Sequence, residues 1–129
     1  MSKPLIDIML LNQTRYGVTF DFNKAMSKLQ EELDEFSEGF TKTDTHEMVN
    51  ALADIIVTAA GELVKLGFNP ELCLKQTVKE ISSRLQCPEQ AARWAMNNKQ
   101  PGEKWLKNPS QPQSTLYAAD YSTCKLHSN

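Results

Sequence analysis

Residues 46–67 read HEMVNALADIIVTAAGELVKLG. A helix turns roughly 100° per residue, so with Leu52 at zero Met48, Val49, Ile55, Ile56, Ala59 and Leu63 cover one face. Ala53, Val57, Ala60 and Val64 extend that face to about +140°. A helix apolar round so much of its surface is packed on more than one side. Yet Glu47 and Asp54 fall at roughly −140° and −160°, with Asn50 near +160°, and the three make one polar seam. Thr43 or Asp44 is the expected N-cap, with Glu47 following in capping-box style. Gly67 stands where a helix end favours a left-handed residue. The stretch predicts a helix over 44–66.

The flanking sequence repeats the pattern. Upstream, residues 22–40 carry Met26, Leu29, Leu33, Phe36 and Phe40 at spacings of three and four, the stripe of an amphipathic helix. Asp21 or Asn23 could cap it; Gly39 and the polar run TKTDT end it. Residues 4–15, PLIDIMLLNQTR, form an earlier helix with Leu5, Ile8, Met9 and Leu11 near one face. Downstream, Asn69 caps and Pro70 opens a fourth helix running to about Arg84. Pro88 opens a shorter helical piece, PEQAARWAMNN. After Asn98 the chain reads KQPGEKWLKNPSQPQST, and its prolines mark an extended tail. No segment shows sustained strand alternation. The expected architecture is all-α: a four-helix bundle over 1–98 and an irregular C-terminal tail over 99–129, packed on the domain or on a neighbouring subunit. The apolar surface of the third helix favours completion of the core by dimerisation.

The chain has 129 residues, the usual size of one domain. A formal net charge of −2 gives no reason to expect nucleic-acid or anionic-membrane binding. The apolar stretches are far short of a membrane span, and the N-terminus lacks a cleavage site, so no signal peptide is read. Cys73, Cys87 and Cys124 are an odd number without CxxC spacing. They read as free thiols in a reducing cytoplasm, that of a bacterial cell or of a phage-infected host.

The acid is concentrated. LQEELDEF, residues 29–36, holds Glu31, Glu32, Asp34 and Glu35. With Leu29 at zero, Glu32 lies at roughly −60° and Glu35 at roughly −120°, bordering the apolar stripe. Glu31 is near −160°, and Asp34 points to the opposite side near +140°. A lone EExxE is commonly a solvated helix face. A second acidic seam on an otherwise apolar neighbour changes the balance, because buried carboxylates repel one another and raise one another's pKa. A hard divalent cation with oxygen ligands removes that cost. Two antiparallel helices offering acids along their inner edges make such a site.

EELDE at 31–35, followed by HEMVNALADIIVTAAGELVKLG at 46–67, resembles the all-α nucleoside triphosphate pyrophosphohydrolases, the MazG-like and phosphoribosyl-ATP pyrophosphohydrolase-like group. That family shows ExxE on one helix, ExxD on the next, and a DALAD-like run leading into an apolar helix that ends in LG. VKEISSR at 78–84 is similar to the end of the family's fourth helix, and KWLKNP at 104–109 to the tail of phage-type members. The resemblance implies hydrolysis of a nucleoside or deoxynucleoside triphosphate to the monophosphate and pyrophosphate. It also implies Mg²⁺ or Mn²⁺, and assembly as a homodimer or homotetramer with sites near subunit interfaces.

Carried over by position, Glu31, Glu32 and Glu35 match the EExxE run, and Asp54 matches the aspartate closing the DALAD-like segment. Asn50 stands where many relatives show Asp, and Glu47-xx-Asn50 is the alternative register of the second motif. The expected metal ligands are Glu32, Glu35 and Asp54, with Glu47 and Asn50 added. Asn50 ligates neutrally, through its carbonyl oxygen. Glu31 and Glu35 are the expected catalytic carboxylates, orienting or deprotonating water. Lys28, one turn ahead of Glu32, together with Lys79, Arg84 and Lys104, are the candidate phosphate contacts. Trp94 and Trp105 could stack on a base, although packing is the commoner role for such residues. The competing readings are a catalytically weak or inactive helical module that binds a nucleotide or a protein, and a plain helical oligomer whose acids are surface charge.

Overall fold

The computed structural model describes residues 2–14, 19–84 and 117–126. Four helices follow in order: α1 Lys3–Thr14, α2 Phe22–Thr41, α3 Thr45–Lys65 and α4 Pro70–Arg84. A short 3-10 turn, Tyr121–Cys124, comes near the end. Among the described residues there is no β-strand, only an isolated antiparallel bridge between Phe68 and Lys125. The all-α architecture expected from the sequence is the one observed. The PEQAARWAMNN helix, the proposed boundary at 98, Cys87, Trp94, Trp105 and most of the tail lie outside the described residues.

The helix limits follow from capping chemistry. The Asp21 carboxylate accepts from the backbone N–H of Lys24 at 3.0 Å, and that of Asp44 from Glu47 at 3.1 Å. Each satisfies an N–H that has no partner within its helix. The Asn69 side chain accepts from Glu71 N at 3.0 Å, and Pro70 takes the first helical position. Gly67 has φ of 93°, a conformation cheap only for glycine, and it ends α3. Between α2 and α3 the chain reverses within a few residues. Asp44 N donates to Gly39 O at 2.8 Å, and Thr43 takes φ of 56°. A β-branched residue is strained there, and the tight turn requires it.

The chain divides into two compact units. The first, Met1–Glu71 with Cys124–Asn129, contains α1, α2 and α3. Within it α2 packs on α3, and α1 packs on α3 as well. Asn12 of α1 lies against Gly61 of α3, where an added Cβ would meet its side chain at 3.0 Å. Thus α3 is packed on two sides, as its wide apolar surface predicts. The second unit, Leu72–Thr123, holds most of α4 and the segment 117–123. Here α4 side chains bind the segment's backbone. Gln76 accepts from Asp120 N at 3.0 Å, Glu80 from Ala119 N at 2.9 Å and Ser83 from Tyr117 N at 3.1 Å. Tyr117 OH also donates to Gln76. Cys73 and Cys124 are buried and form no disulfide.

The rotational setting of α2 differs from the expected one. Its buried residues are Ala25, Glu32 and Gly39, not the Leu29–Phe40 stripe. These three lie near −60° when Leu29 is at zero, so the helix is turned about 60° from the expected setting. Leu29 and Phe36 become half-buried, while Met26, Leu33 and Phe40 are exposed. On α3 the same shift buries Ala51 and exposes Val49, Leu52 and Ile56. Small residues at the contact let the two backbones come close. At Gly39 an added Cβ would meet both Met48 N and Met48 Cγ at 3.0 Å. Gly39→Ala in a free helix would stabilise by about 0.5–1 kcal/mol. Here the clash is with backbone, and we expect a net loss of about 1–3 kcal/mol, read as a lower urea midpoint.

Candidate metal centre

The site grows from the setting of α2. Glu31, Glu32 and Glu35 stand at i, i+1 and i+4 on α2, and the rotation carries Glu32 to the α3 contact. Glu32 is 2 % exposed and is the one charged residue buried among those described. Glu31 is exposed and Glu35 half-buried. One carboxylate oxygen from each of the three lies within 4.8 Å of the others. The i, i+1, i+4 spacing therefore delivers a graded cluster: one acid inside, one at the edge and one at the rim.

Lys28 reaches into this cluster from one turn earlier. Its ammonium is 2.9 Å from Glu32 Oε1 and 3.7 Å from Glu31 Oε2. The other oxygen of Glu32, Oε2, is buried without a hydrogen-bond partner. Asp54 of α3, half-buried, stands near enough to Glu32 to influence its ionisation. Asn50 Nδ2 donates to Asp54 Oδ2 across a long 3.4 Å. Glu47, in the first turn of α3, stands apart from the close cluster, and its charge acts on Lys42 at the end of α2.

The electrostatics follow the geometry. The hydrogen bond from Lys28 holds the Glu32 carboxyl below the usual glutamate range, against the opposing effect of burial. Glu35 is pushed above that range, first by repulsion from Glu32 and then by burial. The hydrogen bond to Glu32 and the charge of Glu31 raise Lys28. Neighbouring carboxylates whose ionisations are driven apart are a pattern of working sites.

The donor set is all oxygen and mostly anionic, and it includes a buried carboxylate oxygen with no partner. A hard divalent cation satisfies each of those features, so the residues fit Mg²⁺ or Mn²⁺. Glu32, Glu35 and Glu31 are brought together, with Asp54 beside them. Glu47 is not in the cluster, and Asn50 reaches it only through Asp54. Lys79 lies in the second unit with its ammonium 4.1 Å from the Tyr117 ring centroid, a cation–π contact. Arg84 closes α4, its side chain outside the described residues, as is Lys104. Sequence reasoning set Glu32 at the border of the core and missed its pairing with Lys28. The i, i+4 spacing of the two was the signal available.

The family model of phosphoribosyl-ATP pyrophosphohydrolase matches residues 13–80, just over half of the chain. The match spans α2, α3 and the whole acidic cluster. The chain belongs to this family, within the MazG-like all-α NTP pyrophosphohydrolase superfamily. Neither the curated proteins nor the solved structures yield a significant match.

The opposed shifts have a consequence for stability in the presence of chelator. The folded-state pKa of Glu35 is raised above the ordinary 4.5, so its ionisation opposes folding at neutral pH. That opposition is relieved as pH falls through the raised value toward 4.5. Glu32 is lowered, and its contribution is lost only below 4.5. Glu35→Gln should therefore be more stable than wild type at pH 7, with the difference closing toward pH 4.5. Urea midpoints at three pH values measure it, and a difference independent of pH would contradict the assignment.

Proposed function

We propose that the protein is a metal-dependent nucleoside triphosphate pyrophosphohydrolase, converting a ribo- or deoxynucleoside triphosphate to the monophosphate and pyrophosphate. The observation that carries this reading is the buried, half-unpaired Glu32 within a cluster of three glutamates. Family membership supports pyrophosphohydrolase chemistry on a nucleotide. Glu32, Glu35 and Asp54 are the proposed ligands of Mg²⁺ or Mn²⁺, with Glu47 and Asn50 as outer members on sequence grounds. When bound, such a cation neutralises triphosphate charge and makes water more acidic.

The protein's own groups supply the rest. Glu35, half-buried at the edge of the cluster, is the proposed acceptor of a proton from water. Glu31 at the rim orients that water. The water oxygen forms a bond to phosphorus of the α–β anhydride, the bridging P–O bond breaks and pyrophosphate leaves. Lys28, beside Glu32, is the proposed contact for the departing phosphates. A catalytically weak module is the second reading. Asn50 favours it, since Asn50 brings an amide where an acid would add charge. The test is pyrophosphate release from a panel of ribo- and deoxynucleoside triphosphates and phosphoribosyl-ATP, with Mg²⁺, Mn²⁺ or chelator. We expect metal-dependent pyrophosphate from part of the panel and a loss of about 100-fold or more in Glu35→Gln. Silence across the panel would favour the module, and turnover of phosphoribosyl-ATP alone would correct the substrate.

Self-association belongs to the same proposal. Among the described residues the buried apolar side chains are Ala25, Ala51, Ala60, Val64, Cys73 and Cys124, with no Leu, Ile, Phe or Met. Leu29, Phe36, Met48, Ile55 and Leu63 are half-buried, while Met26, Leu33, Phe40, Val49, Leu52 and Ile56 are exposed. Pairing of Gly39 with Met48 and of Glu32 with Asp54 makes these helices antiparallel. Met26, Leu33 and Phe40 are turned about 80–120° from the inner line of α2, and Leu52, Ile56 and Val49 about 100–160° from that of α3. Turns in the same sense on antiparallel helices reach the same side. The acids turn the other way on both helices. A second copy meeting this apolar face completes the core and leaves the acid face open, as a homodimer or a tetramer built from it. No helix among those described is long and apolar enough to cross a membrane. We place the protein in the cytoplasm, without nucleic acid as a partner. Ile56, 64 % exposed, tests the assembly. Ile56→Asp should convert a dimer to a helical monomer on light scattering, and a wild-type monomer would refute this face as an interface.

A further inference from the structure

Lys28 is placed where a divalent cation would belong. Its ammonium lies between two of the three clustered glutamates, 2.9 Å from buried Glu32 and 3.7 Å from rim Glu31. The two ends of the ion pair are unlike. The Glu32 side chain is 2 % exposed and fixed by packing, whereas that of Lys28 is 49 % exposed on a flexible stem. The lysine can therefore withdraw to solvent without unfolding anything, while Glu32 cannot follow it. A dication among carboxylate oxygens that lie within 4.8 Å of one another would also stand within a few ångströms of the ammonium and repel it. Glu31, 59 % exposed, gives the displaced ammonium a partner at the rim.

We propose that Lys28 is a tethered counter-cation that competes with the divalent cation for Glu32. On displacement it is handed to the phosphate of the bound nucleotide. One residue then serves in two positions. Inside, it satisfies a buried carboxylate. Outside, it adds positive charge where the leaving pyrophosphate gathers negative charge. This inference rests on the metal-site reading above and concerns regulation of that same site.

The test compares wild type, Lys28→Met and Lys28→Arg by calorimetric titration with Mn²⁺ alone, then with pyrophosphate on the Mn²⁺-saturated protein. Lys28→Met should bind Mn²⁺ about tenfold more tightly, because no charge-assisted hydrogen bond has to be broken. It should bind pyrophosphate more weakly by a similar factor. Lys28→Arg keeps the competing charge and should not tighten Mn²⁺ binding. Opposite signs in the two titrations are what a structural role could not produce, since misfolding weakens both. Mn²⁺ affinity unchanged or reduced in Lys28→Met, or pyrophosphate affinity unchanged, would overturn the proposal. Should Lys28→Met fail to fold, Lys28→Gln carries the same two measurements. Failure of the underlying reading looks different: wild type itself would take up no Mn²⁺, and both proposals would fall together.

Discussion

A carboxylate buried at a helix contact governs the rest of this structure. Glu32 gives up most of its hydration at the α2–α3 interface, and burying an ionised group without compensation is costly. One oxygen is compensated by the Lys28 ammonium, and the other is left without a partner. An apolar residue of similar size at this position would stabilise the hairpin more. The neighbouring positions show how closely the helices are drawn in: Ala25 and Gly39 on α2, Ala51 on α3. Large side chains at those positions would hold the backbones apart and leave Glu32 in water. The small residues and the buried acid therefore form one arrangement, in which stability is given up to fix a charged group in place.

Turning Glu32 inward has a second effect. A helix has one circumference, so the residues that follow Glu32 toward the core displace others from it. Met26, Leu33 and Phe40 move outward, as do Val49, Leu52 and Ile56 on the partner helix. The hairpin becomes two-faced, acid on one side and apolar on the other. Coupling of this kind makes the proposed metal site and the proposed assembly parts of one design. A chain that buried Leu33 and Phe40 internally would lack both the exposed apolar face and the buried carboxylate.

Much of this was legible in the sequence because capping and helix punctuation are local. Asp21, Asp44, Asn69, Pro70 and Gly67 set the helix ends within a residue or two of where the letters place them. The EExxE spacing placed three acids on one turn, and they are found together. The rotational setting was not legible. Periodicity finds an apolar stripe, but it does not say whether that stripe is buried inside one chain or between two. Nor does a helical wheel carry height. It put Glu47, Asn50 and Asp54 in one seam, yet seven residues of helix separate Glu47 from Asp54 by about 10 Å along the axis. Glu47 accordingly acts on Lys42 at the end of α2, while Asp54 acts on Glu32. The strained φ of Thr43 had no signal either, since the tight turn imposes it against the preference of the residue.

The place of Asn50 follows from counting charge. Glu31, Glu32, Glu35 and Asp54 bring four negative charges to the site, and Lys28 returns one. An aspartate at 50 would have added a fifth, next to Asp54 and without a cation of its own. Asn50 instead donates a hydrogen bond to Asp54 and leaves that carboxylate's charge facing the cluster. The net −3 of this group is what the proposed divalent cations would meet, and the charge left over would decide how readily the proposed polyanionic substrate approaches. Every negative charge omitted from the protein lowers that repulsion, and every one retained strengthens the hold on the cation. With a neutral residue at 50 and an ammonium at 28 that is displaced as proposed, the site would adjust both quantities without changing its fold.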